Sequence, residues 1–380
     1  MKMVIIGAGA SYDCSYEIFD QQHVSVWRPP LANELFQPRK SFREILDKYT
    51  GLQMLYSSLN AVTDIEEFFQ QKWDFAIKHS AKELLGSLIS IQYALQELML
   101  HISRQYKHLG LSNYDILIAD AYEYAIKNNE DIILVTFNYD LFLEYSIRKI
   151  YPGENEYGEF LSIEEYIDSP LKLLKLHGSC NWYKKYKEGF INKDRLFIAN
   201  YLFQKRPSFE EISQNIEKEI LVRSFPMQAL GPHNEEFLYY YPELLIPFKS
   251  KDTFVLPDSH KKYLYDNISK VDSILIVGWK GHEEAFLKLL NEKIGEKTIP
   301  ILSVNCENIE IQDQLKKYLP KAQFTLFMED FKIEEKKSGS IYEWTDLGTN
   351  VSPRPYFKKG SFSSYTLNTK KKLYESFFKT

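Results

Sequence analysis

Short, continuous apolar runs punctuate this chain at residues 3–6, 132–137, 171–176, 243–247, 273–277, 299–304 and 324–327. Each is four to six residues long, rich in β-branched or leucine side chains, and does not alternate apolar with polar. Strands buried on both faces read this way, whereas a half-solvated strand shows a period of two. Helical or irregular stretches separate the runs. The pattern predicts an α/β fold with a doubly wound, mainly parallel sheet and helices packed above and below it.

Between the first two runs, a helical insertion is expected over about 41–130. Ile65, Phe68, Phe69 and Trp73 fall on one helical face, and Leu84, Leu85, Leu88, Ile91 and Leu95 on another. Thr63 followed by Glu66 has the spacing of a capping box ahead of the first face. Upstream, Pro29 and Pro30 fix an extended segment before Leu31, Leu35 and Phe36 return at helical spacing. The stretch 185–240 is polar and aromatic with weak periodicity, which suggests a smaller excursion. From 331 onward the chain turns basic and glycine-bearing but keeps many aromatics, so much of it should pack against something. The expected division is a domain over 1–310 and a C-terminal extension over 311–380, the latter a candidate for oligomerisation or partner binding.

Composition narrows the function. Of 380 residues, 44% are hydrophobic and 26% charged, as in an ordinary soluble protein with a large core. The net charge of −5 gives no support for direct nucleic-acid binding. Cys14, Cys180 and Cys306 lie far apart and form no C-x-x-C pair, which argues against a cysteine zinc site and fits a reducing compartment. No stretch is long and apolar enough for a signal peptide or membrane span, so a cytoplasmic protein without membrane attachment is expected.

In an open parallel sheet, ligands sit at the carboxyl ends of the strands, so the residues that follow each run carry the chemistry. After the first come Gly7, Ala8, Gly9, Ala10 and Ser11, a sharp turn into a helix whose glycines permit close approach and whose N–H groups suit a phosphate. The third glycine of G-x-G-x-x-G is absent; Tyr12 stands there. After the second come Thr136, Phe137, Asn138, Tyr139 and Asp140, and after the third His177, Gly178 and Ser179. Gly278, Trp279, Lys280 and Gly281 follow the run at 273, and Asn305, Cys306, Glu307 and Asn308 the run at 299. Taken alone, Asn138 and Asp140 read first as an Asx turn capping the next helix. His177 ends an apolar run with glycine behind it and reads as functional. His23, His79, His101, His108, His233, His260 and His282 show no such context and read as surface residues, His282 with least support.

Together GAGAS at 7–11, TFNYD at 136–140, LHGS at 176–179 and VGW at 277–279 resemble the sirtuin-type, Rossmann-like NAD-binding domain. The likeness is closest to prokaryotic sirtuin-like proteins of anti-phage defence that cleave NAD+, and it covers roughly 1–310. It implies that Gly7 to Ser11 cradle the pyrophosphate, that Asn138 serves the nicotinamide ribose, that His177 is catalytic, and that Asn305 lies near the adenosine. Thr136, Asp140, Gly178, Ser179, Gly278 and Trp279 complete the implied NAD site. Deacetylating sirtuins carry a four-cysteine zinc module and a Gly-Ile-Pro-Asp-Phe-Arg loop. This chain has neither, and Tyr12-Asp13-Cys14-Ser15 follows its glycine turn. The resemblance therefore implies NAD+ hydrolysis without a metal, with protein deacylation and a non-catalytic nucleotide sensor as alternatives. An NADase of this kind would need restraint, so a homo-oligomer, or a partner such as a HerA-type ATPase or an Argonaute-like protein, is expected.

Overall fold

The structure is a computed structural model that describes residues 1–14, 28–36, 39–59, 62–108, 111–151, 159–187, 195–222, 239–247, 254–305 and 308–326, with Phe362, Phe377 and Phe378. Its centre is β1 (Lys2–Ile6), flanked by β2 (Ile132–Thr136) on one side. Beyond β2 lies β3 (Leu171–Lys175). Two strands come next in the chain, β4 (Gly178–Tyr186) and β5 (Leu221–Val222), followed by β6 (Tyr239–Leu244). The chain then returns to the other flank of β1 with β7 (Ser273–Val277), β8 (Pro300–Val304) and β9 (Gln323–Leu326). The main sheet has the order β3-β2-β1-β7-β8-β9 and every pairing in it is parallel. That is the doubly wound, Rossmann-like order, with its switch point between β1 and β7.

Why these runs become central strands is visible in β1, where all five residues are buried. Val4 and Ile6 face a core built with the inserted helices, while Met3 and Ile5 face a second core containing Phe286, Leu287 and Leu290. The register is unbroken across the centre: Ile5 lies between Val135 and Ile276. A strand with two apolar faces has to be covered twice, and helices on both sides do so.

Between β1 and β2 the chain is helical among the described residues, as the apolar periodicity predicts. The helix Lys82–Lys107 is its spine and buries Leu88, Ile91, Leu95 and Leu98 completely. One detail shifts: the cap of helix Ile65–Lys78 is Asp64, whose side chain accepts from the Glu67 N–H at 3.0 Å, not Thr63 with Glu66. Aspartate is the stronger N-cap, so the cap moves by one residue. The helix Asn113–Asn128 opens on a reciprocal box between Ser112 and Asp115.

Two expectations need correction in the middle of the chain. The run at 243–247 is no parallel core strand, since Tyr239–Leu244 pairs antiparallel with β4 in a separate three-stranded sheet. β4 itself carried no apolar run and went unpredicted. At its start, Gly178 has φ +79° and a side chain there would come within 2.2 Å of the Glu243 carbonyl oxygen. Only glycine lets the two strands approach so closely.

At the C-terminal end, β9 lies past residue 310 and still pairs with β8. Most of 327–380 lies outside the described residues. Three side chains from it are buried in the main core: Phe362 edge-on to Tyr114, Phe378 beside Tyr124, and Phe377 under the Lys2 ammonium.

Candidate functional site

Five adjacent strands of the main sheet, β3, β2, β1, β7 and β8, deliver the candidate residues to one edge. The glycine turn after β1 enters the short helix Ala8–Tyr12. Here Gly7 N–H donates to Val277 O and Gly9 N–H to Gly278 O, each at 3.0 Å. The two turns thus lean on one another. A side chain at Gly7 would lie 2.5 Å from the Gly278 oxygen, and one at Gly278 (φ +61°) 2.1 Å from Ala10 N. These glycines are needed for backbone-to-backbone packing at the switch point, whatever ligand they also admit. Ala8 is exposed and Ala10 is wholly buried in the core.

Asn138 is where the loops meet. Its backbone N–H donates to Thr136 Oγ1 at 3.1 Å. Its Nδ2 donates to the Gly7 carbonyl at 3.0 Å and to Ser11 Oγ at 2.9 Å. Ser11 Oγ in turn donates to Asp140 Oδ2 at 2.8 Å and lies 2.9 Å from the Tyr114 hydroxyl. Asp140 Oδ1 accepts from the Phe142 N–H at 3.2 Å, an Asx turn that leads into the helix Phe142–Ile150, whose N-cap is Leu141. Asn138 does not cap; it ties the β2 loop to the glycine turn. With its donors committed, Oδ1 of Asn138 accepts no hydrogen bond from the described residues.

Burial raises the Asp140 carboxyl above its ordinary range, opposed by the Lys175 charge and by the Ser11 and Phe142 hydrogen bonds. Tyr114 is pushed well up by burial, with the Asp140 charge adding to the effect, and stays a neutral hydroxyl. Cys14, buried nearby, is likewise raised by desolvation and by Asp140. Burial lifts the Cys180 thiol to about 12. Neither thiol is a nucleophile at neutral pH. Cys306 and Glu307 lie outside the described residues.

His177 sits between β3 and β4, not at the end of β3. Its ring packs on Phe137 at 5.0 Å between centroids, and its carbonyl accepts from the Leu245 N–H at 2.9 Å. Phe137 stacks in turn on Trp279 at 5.4 Å and 12°. Trp279 Nε1 donates to Glu283, and Asn305 Nδ2 donates to the Trp279 carbonyl at 2.8 Å. Ser179 is drawn elsewhere: its hydroxyl donates to Asn181 Oδ1 at 2.7 Å, next to Tyr166. Asn138 and His177 are 8% and 2% exposed, so both side chains lie under cover at this edge.

Three participants had not been foreseen. Tyr114 comes from the inserted helices and is close to Asn138 only in three dimensions. Lys175 and Glu144 form a buried pair beneath the loop, 2.7 Å apart. A lysine inside the apolar run at 171–176 was the available signal. His260, expected on the surface, is completely buried, with Nε2 at 2.8 Å from the Ile163 carbonyl oxygen and Trp182 and Tyr166 around its ring. His79, His108 and His282 are exposed and His101 is half-buried, whereas His23 and His233 lie outside the described residues.

No group of three His, Cys, Asp or Glu among the described residues could hold a metal ion, and no described helix is long and apolar enough to cross a membrane. Two cavities, of about 300 Å³ beside Phe197 and Tyr201 and about 240 Å³ between Lys48, Glu97 and Arg104, lie on the helical layer away from the strand ends. No family model and no curated protein matches this chain.

Proposed function

We propose that this protein is a sirtuin-like NAD+ glycohydrolase that cleaves the nicotinamide–ribose bond, releasing nicotinamide and ADP-ribose. One observation carries the reading. The Asn138 amide is fixed to the glycine turn at Gly7 and Ser11, with His177 at the head of the neighbouring strand end.

The chemistry asks little more. Loss of nicotinamide passes through an oxocarbenium-like state, as in glycoside cleavage, and the leaving pyridinium is already cationic, so no general acid is needed. The site has to hold the ribose, direct a water and accept its proton. Asn138 spends its N–H groups on Gly7 and Ser11, which leaves Oδ1 to accept from a water or a ribose hydroxyl. The His177 imidazole is the group placed to take the proton. Thr136 and Asp140 hold Asn138 and Ser11 in place. Ala8, Gly9, Gly278 and Asn305, the less buried residues of the two turns and of the β8 end, form the adjoining ledge for the rest of the dinucleotide, and Gly178 and Ser179 set the start of β4 behind His177.

The biological reading follows from the sirtuin resemblance: a cytoplasmic anti-phage effector that depletes NAD+, held off as a homo-oligomer or by a HerA-type ATPase or an Argonaute-like protein. The low exposure of Asn138 and His177 also favours a second reading, a nucleotide-binding module without turnover.

Nicotinamide release by purified protein, alone and with such a partner, tests both. The expected result is release by the wild type and a loss of about 100-fold or more in Asn138→Ala and His177→Ala. NAD+ binding without release under every condition would favour the module.

A further inference from the structure

Lys175 is 1% exposed and its ion-pair partner Glu144 is 2% exposed, a costly arrangement in a protein interior. The pair is not closed on itself. Lys175 Nζ also donates to the backbone carbonyl of Asp140, inside the loop that carries Asn138. Glu144 Oε1 accepts from Lys175 and from the Tyr166 hydroxyl, while its Oε2 has no hydrogen-bond partner. A matched apolar pair would fill the same space at no electrostatic cost but would leave the Asp140 carbonyl without its donor.

Lys175 is also the last residue of β3, two positions before His177. From there a chain of contacts leads to the candidate amide. Lys175 holds the Asp140 main chain, the Asp140 side chain accepts from Ser11, and Ser11 accepts from Asn138. One ammonium thus joins the β2 loop to the strand that leads into the His177 turn.

We propose that Lys175 is a positioning residue that fixes the Asn138–Asp140 loop relative to His177, with Glu144 holding its charge in place. As a statement about catalysis this rests on the glycohydrolase reading; as a statement about the loop it stands without it.

The test pairs amide hydrogen exchange with nicotinamide release in Lys175→Met/Glu144→Gln and in Glu144→Gln alone. The double variant leaves neither partner of the pair facing an unmatched charge, so it should still fold, with a loss of stability confined to what the Asp140 carbonyl and carboxylate lose with the ammonium. Its amides at 138–141 should exchange about tenfold faster or more while the rest of the main sheet is unchanged. Its kcat for nicotinamide release should fall by about 30-fold or more, because a small misplacement of catalytic groups is enough. Glu144→Gln alone keeps the donor to the Asp140 carbonyl and should show much smaller effects on both.

Exchange at 138–141 that stays at the wild-type rate, or rises equally throughout the sheet, would overturn the proposal. So would a faster-exchanging loop that keeps full turnover. A wild type that releases no nicotinamide would sink the glycohydrolase reading, while the exchange comparison would still decide whether Lys175 fixes the loop.

Discussion

Asn138 Nδ2 lies 3.0 Å from the Gly7 carbonyl oxygen, so a side chain at the end of β2 closes the turn at the end of β1. The bond joins residues 131 positions apart and has a chemical direction, because the amide must donate.

Replacing Asn138 with Asp reverses that direction. A carboxylate there would face the Gly7 carbonyl and add a second negative group to the one Ser11 already serves on Asp140. Urea unfolding should show Asn138→Asp less stable than wild type by about 2–4 kcal/mol, and less stable than Asn138→Ala.

Contact between the two glycine turns leaves no room for a methyl group. Gly278→Ala combines φ +61° with a 2.1 Å approach to Ala10 N, so it should cost more than about 2 kcal/mol in denaturant unfolding. Gly281 also has φ +74°, yet its nearest neighbours stand 3.6 Å off, so Gly281→Ala should cost clearly less.

His260 makes stability depend on pH. Burial lowers its pKa from 6.5 to about 4 in the folded protein, so between those values the unfolded chain binds a proton that the folded one refuses. Its contribution is complete above pH 6.5, falls as pH drops, and levels off below about 4. From pH 7.5 to 5 the wild type should lose about 2 kcal/mol through this group. His260→Gln should show a flatter profile in the same urea titrations.

The C-terminal segment should matter to the core. Phe362 is 3% exposed against Tyr114, whose hydroxyl meets Ser11. Phe362→Ala should cost about 3 kcal/mol, and the test is calorimetric unfolding beside Phe209→Ala, whose ring is 44% exposed and which should lose little.

The sheet was legible because its strands are buried on both faces, and such strands must be written as unbroken apolar runs. The runs at 132–137 and 273–277 fall on β2 and β7 almost residue for residue. β4 escaped because Gly178–Tyr186 mixes Ser179, Asn181, Lys184 and Lys185 with aromatics; its strand character comes from pairing with β6, which no local pattern encodes. The glycines and polar residues at the strand ends announced themselves by position. Tyr114 did not, since an ordinary helical tyrosine gains its place from how the inserted helices fold back. His260 was misread for a related reason, as the aromatics that enclose it lie about 80 and 95 residues upstream.

The central position of β1 has a consequence for how the chain is made. Lys2 lies in register with Ile132 on one side and Ser273 on the other. On the ribosome, a strand that is buried along its whole length in the finished sheet therefore emerges with neither neighbour in existence, and one flank stays open until β7 has been synthesised. Non-local parallel pairing of this kind is slow and leaves sticky edges exposed. Nascent chains should rely on chaperones until β7 arrives, and synthesis rather than the finished fold is the stage at which this protein is most prone to aggregate.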